Sequence, residues 1–301
     1  MTGTVKLRVA AVGYATVESL PLFHYMPGST VARVVVGGLE APIVECEAFE
    51  ICRYARGEEA LQLHEVPLDE IIYRARRWGV DSIVFEGPEP LVELERVGVE
   101  RVVEEARSRG LRVGLRTFGL SDPPPGLFDF ILFDYVAKYA GSLRLAIEEV
   151  DALERLASDS GTWLEVAVYL REVESYEDLS PVIRAVRERK PPLHVFVEHH
   201  KGGATITRLR EDLRGRLPYY YIHNKPYEYL DTYCPKCGSP LIVRDEGMLK
   251  VSEVGDDGSC WKCGYKVSLI GPARRKTPRR VLLLAKGGTA WYPPRSLGGP
   301  G

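Results

Sequence analysis

From about residue 31, short runs of β-branched and aromatic residues alternate with longer segments whose apolar residues recur every three or four positions. This is the pattern of repeated βα units. The runs predict strands over Val31–Val36, Ser82–Glu86, Arg112–Phe118, Phe128–Tyr135, Trp163–Leu170, His194–Glu198 and Tyr219–His223. The segments between them predict helices. Leu68–Trp78 opens after Pro67, Leu91–Arg109 ends at Gly110, Ser142–Ala157 ends near Gly161, and Tyr176–Arg189 stops at Lys190-Pro191-Pro192. Proline and glycine are the residues that end helices at such places. Strands that are apolar on both faces suit a parallel sheet covered by helices, and parallel neighbours need helical crossovers. The expected class is α/β, with a complete or partial TIM-like (β/α) barrel over 31–230. Residues 1–30, with Pro21, Pro27 and Gly28, read as an N-terminal extension of one strand and a loop.

The pattern changes after residue 230. Cys234-Pro-Lys-Cys237-Gly and Cys260-Trp-Lys-Cys263-Gly form two knuckles separated by 22 residues, with apolar runs Leu241–Arg244 and Leu249–Val251 between them suited to a short hairpin. Two thiolates of a Cys-x-x-Cys approach one ion, and the glycine that follows permits the left-handed turn. Two such knuckles complete a tetrahedron. Residues 231–270 are therefore expected to be a small C-terminal zinc ribbon whose four cysteines leave no open coordination position, which makes the zinc structural. Iron bound as in rubredoxin, or a redox Cys-x-x-Cys pair, fits the same spacing. Residues 271–301 read as a basic, Gly/Pro-rich mobile tail.

Composition narrows the classes further. The chain has 301 residues, 45% hydrophobic, enough for one large domain and a small one. Its 40 Lys and Arg against 42 Asp and Glu give a net charge of -2, so any nucleic-acid surface must be local. No signal-like leader or membrane-length apolar run is present, and a cytoplasmic location is expected. With one Asn and one Gln, Asn224 and Gln62, amid abundant Glu and Arg, a thermophilic source is expected.

With the order of elements in place, the chain resembles the radical-SAM enzymes of the AmmeMemoRadiSam type, related to pyruvate-formate-lyase activating enzymes, over about residues 31 to 270. The most specific part is Tyr219-Tyr220-Tyr221-Ile222-His223-Asn224-Lys225-Pro226 followed by Thr232-Tyr233-Cys234-Pro235-Lys236-Cys237-Gly238. Pro192–His199 is similar to the family's late barrel strand with its two histidines, and Ser82–Pro90 to its strand ending in Glu-Pro. The family's Cys-x3-Cys-x2-Cys, which holds a [4Fe–4S] cluster that binds S-adenosylmethionine, is degenerate here: the loop reads Val44-Glu45-Cys46-Glu47-Ala48-Phe49-Glu50-Ile51-Cys52-Arg53. Starting the motif at Cys46 puts Glu50 and Arg53 at the other ligand positions. Ending it at Cys52 puts Glu45 and Phe49 there. Asp134-Tyr135-Val136 also lacks the lysine of the family's fourth-strand motif.

These residues lead to a set of expectations. Cys46 and Cys52 are buried thiols or a short-loop disulfide rather than cluster ligands. Glu89, His199 and His200, at the C-terminal ends of strands, are the candidate barrel-mouth site, although neighbouring residues on a strand face opposite ways, so at most one of the two histidines faces the mouth. His194 is a packing residue. The protein binds a small molecule or a protein partner without ordinary S-adenosylmethionine radical chemistry. The rivals are a divergent radical-SAM enzyme that uses the cluster, and an RNA- or ribosome-associated factor contacting phosphates through residues 273–280.

Overall fold

The structure, a computed structural model, describes residues 4–37, 63–87, 89–136, 143–172, 176–199, 203–224, 229–245, 248–273 and 290–292. Cys46, Cys52, His200 and residues 274–280 of the basic run lie outside them.

The β-branched runs form the expected parallel sheet. Its parallel strands are β2 (Thr30–Val36), β4 (Ser82–Glu86), β5 (Arg112–Thr117), β6 (Phe130–Tyr135), β7 (Trp163–Glu172), β8 (Leu193–His199) and β9 (Tyr220–His223), each paired with the next in this order. The N-terminal extension belongs to the same sheet. β1 (Lys6–Thr16) runs antiparallel beside β2, while β3 (His64–Pro67) and β13 (Ala290–Tyr292) pair antiparallel with β1. Among the described residues β9 and β13 end the sheet without pairing to each other, so the sheet does not close. Of the two forms expected, it fits the partial barrel.

The helices follow the apolar periodicity with informative departures. Leu68–Trp78 (α1) turns Leu68, Ile71, Ile72 and Ala75 inward and ends at Gly79 in the left-handed conformation, φ 76°. The single helix expected over 91–109 is two, Leu91–Val97 (α2) and Val99–Ser108 (α3), because Gly98 takes φ 94° between them. The helix Leu143–Ser158 (α4) forms as expected. Over 176–189 only a 3₁₀ turn and the short helix Ser180–Ala185 (α5) form. Gly203–Arg214 (α6) was not foreseen, since two glycines mask its start, yet Ile206, Leu209 and Leu213 share its buried face.

Alternation along the strands divides the sheet into two faces. Ala32, Val34, Ile83, Phe85, Val113, Leu115, Ile131, Phe133, Val166, Val168, Val195 and Ile222 join one apolar cluster with the helices. The residues between them line the opposite, concave face. At the N-terminal ends of the strands that face is covered by the β1–β2 loop: Leu20, Leu22 and Tyr25 pack with Val31, Val84, Phe130 and Ala167. Burying each such side chain stabilises the fold by roughly 1.5–3 kcal/mol. Below the loop sits the ribbon, with β10 (Thr232–Tyr233), β11 (Pro240–Asp245) and β12 (Met248–Ser252) forming an antiparallel sheet. Phe23, Tyr219 and Tyr221 share a core with Cys234, Cys260, Leu241 and Leu249. The ribbon thus seals the end of the partial barrel opposite the strand C-termini. That explains Tyr219 and Tyr221 as packing residues of the ribbon core.

Candidate functional site

The ribbon brings the four predicted cysteines together. Each knuckle closes with the same two backbone hydrogen bonds: Gly238 N–H donates to Cys234 O and Gly264 N–H to Cys260 O, while Cys234 N–H donates to Ser239 O and Cys260 N–H to Tyr265 O. Gly238 and Gly264 take φ 71° and 67°. The four Sγ atoms lie within 4.8 Å of one another, with Cys234–Cys263 at 3.6 Å and Cys237–Cys260 at 3.8 Å. A single tetrahedral ion with metal–sulfur bonds of about 2.3 Å requires sulfurs about 3.8 Å apart, so the donor set fits one such ion. Four thiolates on separate irons of a cube would have to stand wider apart. The Ser239 hydroxyl and amide, both beside Cys237, pull its thiol down to about 6.

A second constellation occupies the concave face. Arg33 donates from Nε to Glu86 Oε1 at 2.6 Å and from Nη2 to Oε2 at 2.9 Å. Arg116 donates from Nη1 to Glu86 Oε2 at 3.4 Å, from Nε to Asp134 Oδ2 at 2.6 Å and from Nη2 to the Tyr169 hydroxyl at 3.1 Å. Register explains the continuity. Arg33 pairs with Val84, Phe85 with Leu115 and Arg116 with Leu132, so each next charged residue lies level with the last or two residues further up the adjacent strand. All four charged side chains are 9% exposed or less. Burial raises Asp134 to about 6. At Arg116 the cost of burial is outweighed by Asp134, Tyr169 and Glu86, which hold the guanidinium charged.

On the neighbouring strands lies a carboxylate–imidazole run. Glu165 Oε1 accepts from His24 N (2.9 Å), Tyr25 N (3.0 Å) and Trp163 Nε1 (3.1 Å), and Oε2 accepts from Phe23 N at 2.8 Å. Oε2 also lies 3.1 Å from His194 Nε2, and His194 Nδ1 lies 3.0 Å from His223 Nε2. His24, bonded to Ser268 O and the Tyr221 hydroxyl, is lowered to about 4 by burial. Burial, with Arg244 close by, also lowers His194 and His223 well below the usual range, so all three rings are neutral near pH 7. Arg244 Nη2 donates to Phe23 O at 3.0 Å, and its guanidinium sits 4.0 Å from the Phe23 ring centroid.

The predicted barrel-mouth residues fare unequally. Glu89 is fully buried just beyond β4, with φ 52°, a left-handed backbone that non-glycine residues seldom take. Its carboxylate accepts from Thr117 Oγ1 at 2.9 and 3.0 Å and from Leu120 N at 3.0 Å, tying the ends of β4 and β5 together. Burial raises it to about 7. His199 closes β8 opposite Glu172, so its backbone lies at a strand C-terminus as expected. His194 is a buried residue with partners on both ring nitrogens. Sequence reasoning passed over Arg33, Glu86, Arg116, Glu165 and His223. Their signal was a charged or imidazole residue inside a strand otherwise apolar on both faces.

No family model matches the chain. It is 26% identical over 287 residues, 87% of its own length and 85% of the other's, to an uncharacterized protein of Methanocaldococcus jannaschii. Among solved structures it is similar to QueE from Escherichia coli, with TM-score 0.48 and 12% identity over 73% of this chain and 94% of that one. It is also similar to SuiB of Streptococcus suis bound to S-adenosylmethionine, with TM-score 0.39, 13% identity and 54% of this chain covered, spanning 43% of the SuiB chain. No helix among the described residues is long and apolar enough to cross a membrane. Likeness at this level leaves the chemistry to be read from the chain's own residues.

Proposed function

We propose that the chain is a radical-SAM-like partial barrel that holds a polar small molecule or partner segment against the concave face of its sheet, without ordinary radical cleavage of S-adenosylmethionine. One zinc ion closes the ribbon as a structural element. The observation that carries this reading is the buried Arg33–Glu86–Arg116–Asp134 ladder. Buried ion pairs add little net stability over apolar packing of the same volume. A sheet needing only a core would fill that face with Leu, Ile and Val, as it does on the helix side. The ladder alternates donors and acceptors, which suits a ligand that itself carries both.

The four ribbon sulfurs suit zinc, which would organise the ribbon and supply no reactive position. The sequence resemblance over 31–270 supports the barrel type, and the two thiolates of the 44–53 loop support the absence of a conventional cluster.

Anaerobic reconstitution with iron and sulfide, followed by metal analysis, absorbance and calorimetric titration with S-adenosylmethionine, tests the reading. The expected result is about one zinc per chain and no four-iron chromophore. A stable four-iron cluster with S-adenosylmethionine binding would make the protein a divergent radical-SAM enzyme. Salt-dependent RNA binding that vanishes when residues 273–301 are removed would instead favour an RNA partner.

A further inference from the structure

The Glu165–His194–His223 run has a determined proton order. Four of the five groups around the Glu165 carboxylate are obligate donors: the amides of Phe23, His24 and Tyr25 and the indole of Trp163. Burial holds the Glu165 carboxyl above its ordinary value, and these donors, with the Arg244 guanidinium nearby, act against that and favour the ionised carboxylate. An ionised Glu165 only accepts, so the fifth group, His194 Nε2, must carry hydrogen. His194 Nδ1 is then a lone pair, and its neighbour His223 Nε2 must donate to it. The last nitrogen in the run, His223 Nδ1, is left bare. His223 is half-buried at the C-terminal end of β9, stacked on Phe196 with ring centroids 4.1 Å apart, and the hydrogen bond its ring makes among the described residues is the one at Nε2 with His194. One residue on, buried Asn224 Oδ1 lacks a partner among the described residues.

We propose that Glu165 and His194 act as positioning residues that lock His223 in its Nε2–H tautomer, so that His223 Nδ1 presents a hydrogen-bond acceptor to an O–H or N–H group of the ligand on the concave face. The placement follows from the sheet. His194 pairs in register with Ala167 on one side and Tyr221 on the other, so Glu165 lies two residues below its level and His223 two above. The three side chains form a diagonal on one face, running from the loop-covered end towards the strand C-termini. Phe196 stacks in turn on Tyr169, which receives Arg116, so the imidazole run and the charged ladder border the same surface. The ligand class is therefore narrowed to molecules with a hydroxyl or amine beside their charged groups. That part rests on the proposed ligand-binding role, whereas the tautomer order does not.

Long-range proton–nitrogen NMR of histidine-labelled, zinc-loaded full-length protein reads each tautomer directly, since Nε2 couples to two ring protons and Nδ1 to one. In the ligand-free protein His194 and His223, assigned by single substitution, should both show hydrogen on Nε2 and a bare Nδ1. Glu165→Gln should reverse both. Three donors hold its carbonyl oxygen on the Oε1 side against the single Phe23 amide on the other, which leaves its NH2 to donate to His194 Nε2. His194→Phe, which removes the acceptor of His223 Nε2 without removing the Glu165 carboxylate, should return His223 to a tautomer mixture. A purely structural Glu165 would leave the His223 pattern unchanged in Glu165→Gln, and that outcome overturns the relay. So would hydrogen on His223 Nδ1 in the unsubstituted protein, whatever the variants do. If the tautomers are as stated but His223→Gln leaves binding of a co-purifying ligand unchanged by native mass spectrometry, the relay stands and its ligand role falls.

Discussion

Glu89→Gln offers a direct measure of how far the end of β4 is removed from water. Burial lifts the Glu89 carboxyl to about 7 from the ordinary 4.5. A buried acid with a raised pKa binds its proton more tightly folded than unfolded. Folding stability is therefore greatest when the acid is protonated in both states, and falls as pH rises from the unfolded to the folded value. Each tenfold gain in proton affinity on folding corresponds to about 1.4 kcal/mol, so the full loss at high pH is roughly 3 kcal/mol, of which about 2 kcal/mol accrues between about pH 5.5 and about pH 8.5. Gln occupies the same volume, never ionises, and keeps a carbonyl for the Leu120 amide and the Thr117 hydroxyl. Urea unfolding of both proteins across that pH range, with zinc present, should show the stability of unsubstituted protein relative to Glu89→Gln falling by about 2 kcal/mol. Any constant offset from the substitution cancels, as do Asp134 and the other titrating groups common to both. Parallel stability–pH curves would mean that Glu89 is hydrated in solution and the reasoning from burial is wrong.

Arg116→Leu should cost roughly 3–5 kcal/mol by leaving Asp134 and Glu86 without a shared partner in the interior. Arg155→Leu, which breaks a bridge whose side chains are 53% and 65% exposed, should cost less than about 1 kcal/mol in the same urea assay. A methyl at Gly114 would lie 2.1 Å from two Phe130 ring carbons, so Gly114→Ala should cost about 1–3 kcal/mol. Gly215→Ala, with nothing within 4 Å of the new atom, should leave the urea midpoint unchanged or slightly raised. Cys260→Ser should abolish stoichiometric zinc and speed hydrogen exchange at the Phe23–Tyr25 amides. The ribbon holds that loop through Arg244 on Phe23 O and through Ile270, whose N–H donates to His24 O and whose carbonyl accepts from Met26 N.

What the sequence disclosed and what it concealed divide along one physical line. Periodicity reports which residues avoid water, and here it located the parallel strands and the ribbon hairpin. It located Leu68–Trp78 to the residue. It failed where a backbone singularity, Gly98, split a continuous apolar stripe, and where paired glycines hid the start of Gly203–Arg214. The four cysteines were legible because metal-ligand spacing is local. Neither the charged ladder nor the imidazole diagonal is local: Arg33 meets Glu86 across 53 positions and Glu165 meets His194 across 29. Register decides those meetings, and a chain read alone does not state its register. His194 illustrates the consequence. Judged by its place at the start of a strand it is a packing residue; judged by the two residues of offset to Glu165 and His223 it is the middle of a relay. Charged residues inside doubly buried strands were the one available sign. In a parallel sheet with one face against helices, such residues have only the opposite face left to occupy, so Arg33, Arg116, Asp134 and Glu165 could have been assigned to a common surface before any contact among them was known.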